Sequence, residues 1–588
     1  MTLLRSLLLL SLLLICSSAA GQNTENLSRT RNWVTDYGAV GDGTTDDGPA
    51  FALAISKMSN GDTLFVPRPG ALTQPSAFYK VTAPIVISKS IRIVGEGDRP
   101  PIKNTTTADT VASWTFDIQA DNVTLENLDI QCAGGGTDTV GVTDYFANRH
   151  AIHAFGTKAG YLTGIRVRNC RIGEASFGTY FKYVRNWEIV DSEIYNCAYA
   201  CIHNLSVSRG MISGNLIHDQ IDVEAFGYGV AISSISTDVD AAKSDPRSED
   251  CVIDRNFVWN CPWEGIDAHG GLRVIFSNNT VYNCPRGIVS TTESGDPGTP
   301  NYGSDYCIIT GNSVDSGVTD GSALEGLLVN GTVVPGDADK SDPASVGNIV
   351  TDNVVKGYGS MGTLNSGGIC FHNTRGTVCN DNYVRDCSPC GILWNVTNKD
   401  FTCTGNTIED PWANAVEPAA ALPGYGIHVY AEYNRGLISS NTLVTGNKAA
   451  TNVRSGGVRI TSPNCSVIFG PNNFQAITPG GVQYIDALNQ GRYANLSKRI
   501  TVVWDPPRLA YGEIAYTTIT QDGGSPMTGV VNGDQVKVAM PSMPAGFQLT
   551  AGVPTANTIF VTLKNNLPGA SIDLVAQTIT ADVLKKDW

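Results

Sequence analysis

The chain has 588 residues, a net charge of −15, only 16% charged residues and 62 glycines. An acidic balance of this size excludes general nucleic-acid binding. Abundant glycine with scarce 3.6-residue apolar periodicity excludes a helical protein and points to an all-β chain with many turns.

In chain order, Arg5 precedes the apolar run Leu7–Ile15, and small residues follow at Ser17, Ser18, Ala19 and Ala20. This predicts a signal peptide over residues 1–20, too short to span a membrane, and a secreted, extracellular mature protein. Fourteen cysteines lie beyond it. Export permits disulfides, but the spacing selects no pairing. Cys197, Cys261, Cys284 and Cys387 recur at one place in the repeat described below and are expected to stack as small buried groups.

Residues Trp33 to Ile55 predict a strand, a turn at Asp42-Gly43 and a short helix. Thr45 or Asp46 would cap that helix, with Pro49 in its first turn and Phe51, Ala52 and Ile55 as its apolar stripe. Asp42, Asp46 and Asp47 are assigned turn and cap roles. The stretch resembles the entrance motif of the pectate-lyase-like β-helix superfamily, which includes rhamnogalacturonase/epimerase-like proteins and phage tailspikes. The resemblance implies a right-handed parallel β-helix whose open edge is covered by a helix.

From Thr63 onward the chain repeats. A small residue followed by an apolar one recurs at His150-Ala-Ile, Phe177-Gly-Thr, Ala200-Cys-Ile, Tyr228-Gly-Val, Glu264-Gly-Ile and Arg286-Gly-Ile. It returns at Glu325-Gly-Leu, Gly367-Gly-Ile, Cys390-Gly-Ile, Tyr425-Gly-Ile, Gly456-Gly-Val and Gly480-Gly-Val, twelve copies in all. The tightest spacings, 22 to 24 residues, mean a solenoid. Asparagines at 215, 256, 279, 312, 353, 382, 406 and 441 form a second column, read as a stacked ladder at a corner where asparagine tolerates left-handed backbone. The expected organisation is a β-helix over 33–488 and a linker near Asn489–Lys498. A small β-sandwich over 499–588 follows, similar to those ending many phage-tail proteins. Insertions at 236–250, 292–305, 333–345, 411–424 and 446–455 flank the repeat strand, as binding loops do.

Alternation places the apolar residue of each copy inward and the next residue outward. The outward positions are then His153 and Phe155, Tyr180 and Lys182, His203 and Leu205, Ala231 and Ser233, Asp267 and His269. Tyr180, Lys182, His203, Asp267 and His269 are the candidate catalytic residues; Arg149, His153, Arg168 and Glu264 are candidate substrate contacts. Residues 149–185 carry seven basic residues against Glu174 alone, which suggests an anionic partner. Cations that neutralise a uronate carboxylate, a base and an acid are what β-elimination requires. Asp267-Ala-His269 also resembles the Asp-Pro-His element of β-helix mannuronan C5-epimerases and related alginate lyases, with Glu264 where that family has a tyrosine and Ala268 where it has a proline. The reading is a polysaccharide lyase on an acidic polysaccharide. The alternatives are a C5-epimerase or glycoside hydrolase on the same face, and a non-catalytic glycan-binding fibre or adhesin. No resident cofactor is expected, with Ca²⁺ an option among Asp219, Asp222, Glu224 and Glu264. A homo-oligomer, a trimer included, is compatible with the fold.

Overall fold

The computed structural model describes residues 29–70, 77–106, 113–132, 149–221, 227–234, 246–292, 303–317, 323–331, 345–359, 366–410, 424–430, 433–444, 456–460 and 465–475, with shorter stretches between 484 and 584. The expected signal peptide and most of the expected insertions lie outside the described residues. The chain divides into two compact units, residues 1–233 with 245–263, and residues 234–244 with 264–588. Among the described residues no helix is long and apolar enough to cross a membrane.

The first unit opens on a strand, Thr30–Asn32, then a short helix, Trp33–Tyr37, where a strand was expected. Asn32 makes that helix by accepting the backbone N–H of Val34 and Thr35, and Gly38 ends it at φ 80°. The second helix, Gly48–Lys57, starts after Asp47 rather than after Thr45 or Asp46, with Pro49 in its first turn. The three acids do hold turns. Asp42 accepts from Thr44 and Thr45, Asp46 from Gly48 and Thr82, and Asp47 from Val40 and Gly41. Trp33 packs against Phe51 and Tyr79, and Phe51 against Phe116, so the helices cover the apolar interior of the first coils.

Beyond this cap each coil places its strands beside the equivalent strands of the next coil, all in parallel register. In the first unit His150–Phe155 pairs with Arg171–Lys182, that strand with Glu193–Leu205, and that in turn with Tyr228–Ser233. In the second unit a full coil comprises Glu264–His269, Ile275–Ser277 and Thr280–Tyr282. These pair with Arg286–Thr291, Ile308–Thr310 and Ser313–Asp315. The inward column runs Ile152, Thr179, Ile202 and Val230 in one unit and Ile266, Ile288, Leu327, Ile369, Ile392, Ile427 and Val458 in the other, all buried. The glycine before each apolar residue is a matter of space. A Cβ at Gly326 would sit 2.7 Å from the carbonyl oxygen of Gly368 on the next coil. The twelfth copy is two residues out of place: Val458 pairs with Tyr484, not with Val482.

The asparagine column is a ladder of side-chain amides. In the second unit each Nδ2 donates to the next Oδ1 from Asn279 through Asn312, Asn353, Asn382, Asn406 and Asn441 to Asn472, at 2.9–3.0 Å. Asn215 and Asn256 do the same in the first unit at 2.9 Å. The left-handed residue is the one before each asparagine, not the asparagine itself: Arg255, Asn278, Asp352, Asp381 and Ser440 have φ of 53–60°, and Gly214, Gly311 and Gly405 φ of 67–70°. That single residue turns the chain so that the following amide points into the coil.

Among the described residues between 497 and 584, the strands form two antiparallel three-stranded sheets and a short two-stranded one. Ser497–Trp504 and Gln535–Ala539 flank Gln577–Leu584, while Ile514–Ile519 and Phe547–Thr555 flank Thr558–Asn565. Ile559, Val561, Leu563, Ile579 and Ala581 share one apolar core. All fourteen cysteines beyond the expected leader are buried thiols.

Asn382 donates to Asn406, Val350 and Asn380 and accepts twice from Asn353. Replacing it by alanine leaves buried groups of three coils unpaired, and Asn382→Ala is expected to lower unfolding free energy by about 3 kcal/mol in a denaturant melt. A second expectation concerns His428, which burial pushes down to about 3 from 6.5. The unfolded chain protonates this imidazole first. Its contribution is complete above about pH 6.5 and is lost as pH falls toward the folded value. His428→Gln should therefore flatten the decline of the melting temperature between pH 6.5 and 4; equal slopes for variant and parent would refute this.

Candidate functional site

In the first unit the outward column runs Val86, Asp117, His153, Tyr180, His203 and Ala231 on successive coils. Two residues further along the same strands stand Phe155, Lys182, Leu205 and Ser233. The expected register of Tyr180, Lys182, His203 and His153 is thus the observed one. These groups build an aromatic field. Tyr180 lies 4.9 Å from the His150 ring, 4.8 Å from Phe155, 4.7 Å from Phe177 and 5.1 Å from His203. The Trp114 indole stacks on His153 at 3.5 Å, and Phe155, 37% exposed, lies 3.9 Å from the same imidazole. Lys182 Nζ hangs 5.8 Å from the Phe155 ring.

Burial sets the protonation of this field. It pushes His150 well below 6.5 and outweighs the Asp117 carboxylate in lowering His153. It raises the Tyr180 phenol to about 12. The imidazoles are therefore neutral and the phenol protonated at neutral pH. His153 Nδ1 lies 3.0 Å from Asp117 Oδ1. A neutral His153 must donate its Nδ1 proton to that carboxylate, which leaves the Nε2 lone pair as the acceptor. Nε2 has no hydrogen-bond partner among the described residues. Gln119 holds the other Asp117 oxygen at 2.6 Å.

Asp117, Trp114 and His150 were not among the sequence candidates. The coil carrying Phe116-Asp-Ile lacks the small residue that marks the repeat, so only the alternation of that short strand hinted at an outward acid. Arg149 precedes this group at the start of its strand, half-buried. Arg168 does not join it. Its strand, Arg166–Arg168, pairs with Val184–Val190 in the other sheet, and its guanidinium bonds Glu188. Arg171 likewise meets Glu193 at 3.3 Å and Asp129 at 3.7 Å. Of the seven basic residues over 149–185, Arg166, Arg168 and Arg171 are met by acids that stand outside that window on adjoining coils.

In the second unit Glu264, Asp267 and His269 converge, each offering a donor atom within 4.8 Å of the others'. Asp267 is 0% exposed and Glu264 3% exposed, while the His269 side chain is 24% exposed. His269 Nε2 lies 3.0 Å from Asp267 Oδ2. Arg286 bridges Glu264 Oε1 at 3.1 Å and Glu325 Oε2 at 2.7 Å. Burial, with the Asp267 charge next, pushes Glu264 up to about 8, and burial raises Asp267 and Glu325 as well. Arg286 and Glu325 each stand immediately before a repeat glycine, a position that simple strand alternation does not mark as outward-facing. Of the expected calcium ligands, Asp222 and Glu224 lie outside the described residues, and Asp219 is engaged by His218 and Asn260 at 2.9 and 2.8 Å.

A family described as "Right handed beta helix region" matches residues 120–303. No curated protein matches the chain by sequence. Among solved structures, the tailspike protein of E. coli bacteriophage HK620 in complex with a pentasaccharide is similar at a TM-score of 0.53 and 9% identity, covering 92% of this chain and 91% of that one. A variant of the same tailspike with pentasaccharide is similar at a TM-score of 0.51 and 10% identity, with the same coverage. At such identities the likeness speaks for the fold: this is a parallel β-helix chain of the architecture seen in tailspikes.

Proposed function

We propose that the protein binds a polysaccharide against the outward column of its first unit and cleaves uronate-containing chains there by β-elimination. The observation that supports this is the coexistence, on consecutive coils, of a neutral oriented imidazole, a protonated phenol and a lysine. The imidazole and the phenol are each in the form their roles require. The bond of His153 to Asp117 favours it as the base rather than as the substrate contact expected from the sequence. It takes the proton on the carbon beside the uronate carboxylate. The electrons of that C–H bond form a double bond as the glycosidic C–O bond breaks, and Tyr180 gives its proton to the departing oxygen. Lys182 and Arg149 supply positive charge toward the carboxylate, whose developing negative charge they stabilise. Substrate reaches Nε2 by displacing the Phe155 ring, and Trp114 and Phe155 offer faces for stacking a sugar.

Hydrolysis is less favoured by the same geometry. The closely paired carboxyls of Glu264 and Asp267 are too buried to meet a glycosidic oxygen. The reading with a separate observation behind it is a glycan-binding fibre without turnover, favoured by the aromatic field itself. The structurally similar tailspike was captured with a pentasaccharide.

The test is a panel of polyuronates and neutral polysaccharides mixed with the full chain. Elimination gives new ultraviolet absorbance from unsaturated ends, epimerisation gives solvent-deuterium uptake without chain cleavage, and binding alone gives neither. Tyr180→Phe and His153→Ala should each reduce turnover by about 100-fold or more with melting temperatures near the parent's. Lys182→Ala should raise KM for uronates more than it lowers kcat. Full turnover in both Tyr180→Phe and His153→Ala would sink the elimination reading.

A further inference from the structure

We propose that Glu264, Asp267 and His269 hold one first-row divalent metal ion through two carboxylates and an imidazole. This does not rest on the elimination reading, which concerns the first unit. Three observations converge.

The first is geometric. Ligand atoms about 2.1 Å from one ion sit about 3–3.5 Å apart. His269 Nε2 and Asp267 Oδ2 are already 3.0 Å apart, and all three donors lie within 4.8 Å. A small turn of the Glu264 side chain closes the set.

The second is the buried oxygens. Glu264 Oε2 and Asp267 Oδ1 have no hydrogen-bond partner among the described residues. A buried carboxylate oxygen left unpaired is strongly destabilising unless a proton or a cation meets it. Arg286 is directed instead at Glu264 Oε1 and Glu325 Oε2.

The third is charge. Among the described residues, Glu264, Asp267 and Glu325 bring three acidic groups around the fixed cation Arg286. A divalent ion would balance these carboxylates as it displaces their protons. One imidazole with two carboxylates in a small buried set selects Zn²⁺ or Mn²⁺ over Ca²⁺, which takes six or more oxygens. The partly exposed His269 provides the entry path and leaves a coordination position open to solvent or ligand.

The experiment uses the full chain without a histidine tag, treated with chelator and titrated at pH 7.5 with Zn²⁺, Mn²⁺ and Ca²⁺ by calorimetry, with metal content measured after desalting. One Zn²⁺ per chain is expected, with a rise in melting temperature. His269→Ala, which changes the exposed member, and Glu264→Gln should each weaken Zn²⁺ binding at least tenfold. His218→Ala, at a separate histidine–carboxylate group, should bind as the parent does. Absence of saturable binding of both Zn²⁺ and Mn²⁺, unchanged affinity in a folded His269→Ala variant, or saturable binding of Ca²⁺ without either would overturn the assignment.

Discussion

Register between coils is the constraint on which the structure depends, and side-chain amides enforce it. A parallel sheet alone tolerates slippage, because its backbone bonds repeat at every second residue. A stack such as Asn353–Asn382–Asn406 does not. Each amide must meet the next amide and a carbonyl of the preceding coil, and a slip of one residue would leave several buried polar groups unpaired. The left-handed residue before each asparagine is the backbone device that aims it.

Once register holds, chemistry follows by addition. Every coil contributes one residue to the same outward column, so groups many residues apart become neighbours. Asp117 reaches His153 across 36 positions. The same stacking that gathers titratable groups also buries them, and desolvation then decides their charge. Imidazoles go neutral, a phenol stays protonated and a glutamate approaches neutral pH. The outward face of a β-helix is therefore not automatically a solvated face; Asp267 points away from the coil interior and is still wholly covered.

Ion pairs show the same logic from the other side. Arg168 and Arg171, which look like a docking patch when counted along the chain, are engaged by acids of adjoining coils. The acids about Arg286 show the converse, a local gathering of carboxyl groups invisible in a linear count. In a solenoid the relevant neighbourhood runs across the coils, about 4.8 Å per step, and not along the sequence.

The sequence by itself determined the repeat, the inward column and the asparagine ladder. These are periodic features written once per coil, and strand alternation converts them directly into direction. It also placed Tyr180, Lys182 and His203 in one register. Only the tertiary structure decided which outward groups are partnered, because that depends on pairs contributed by different coils: Asp117 with His153, Arg168 with Glu188, Arg286 with Glu264 and Glu325. It also decided burial, and with burial the protonation states, since desolvation is a property of the whole packed surround and has no counterpart in any local pattern of residues.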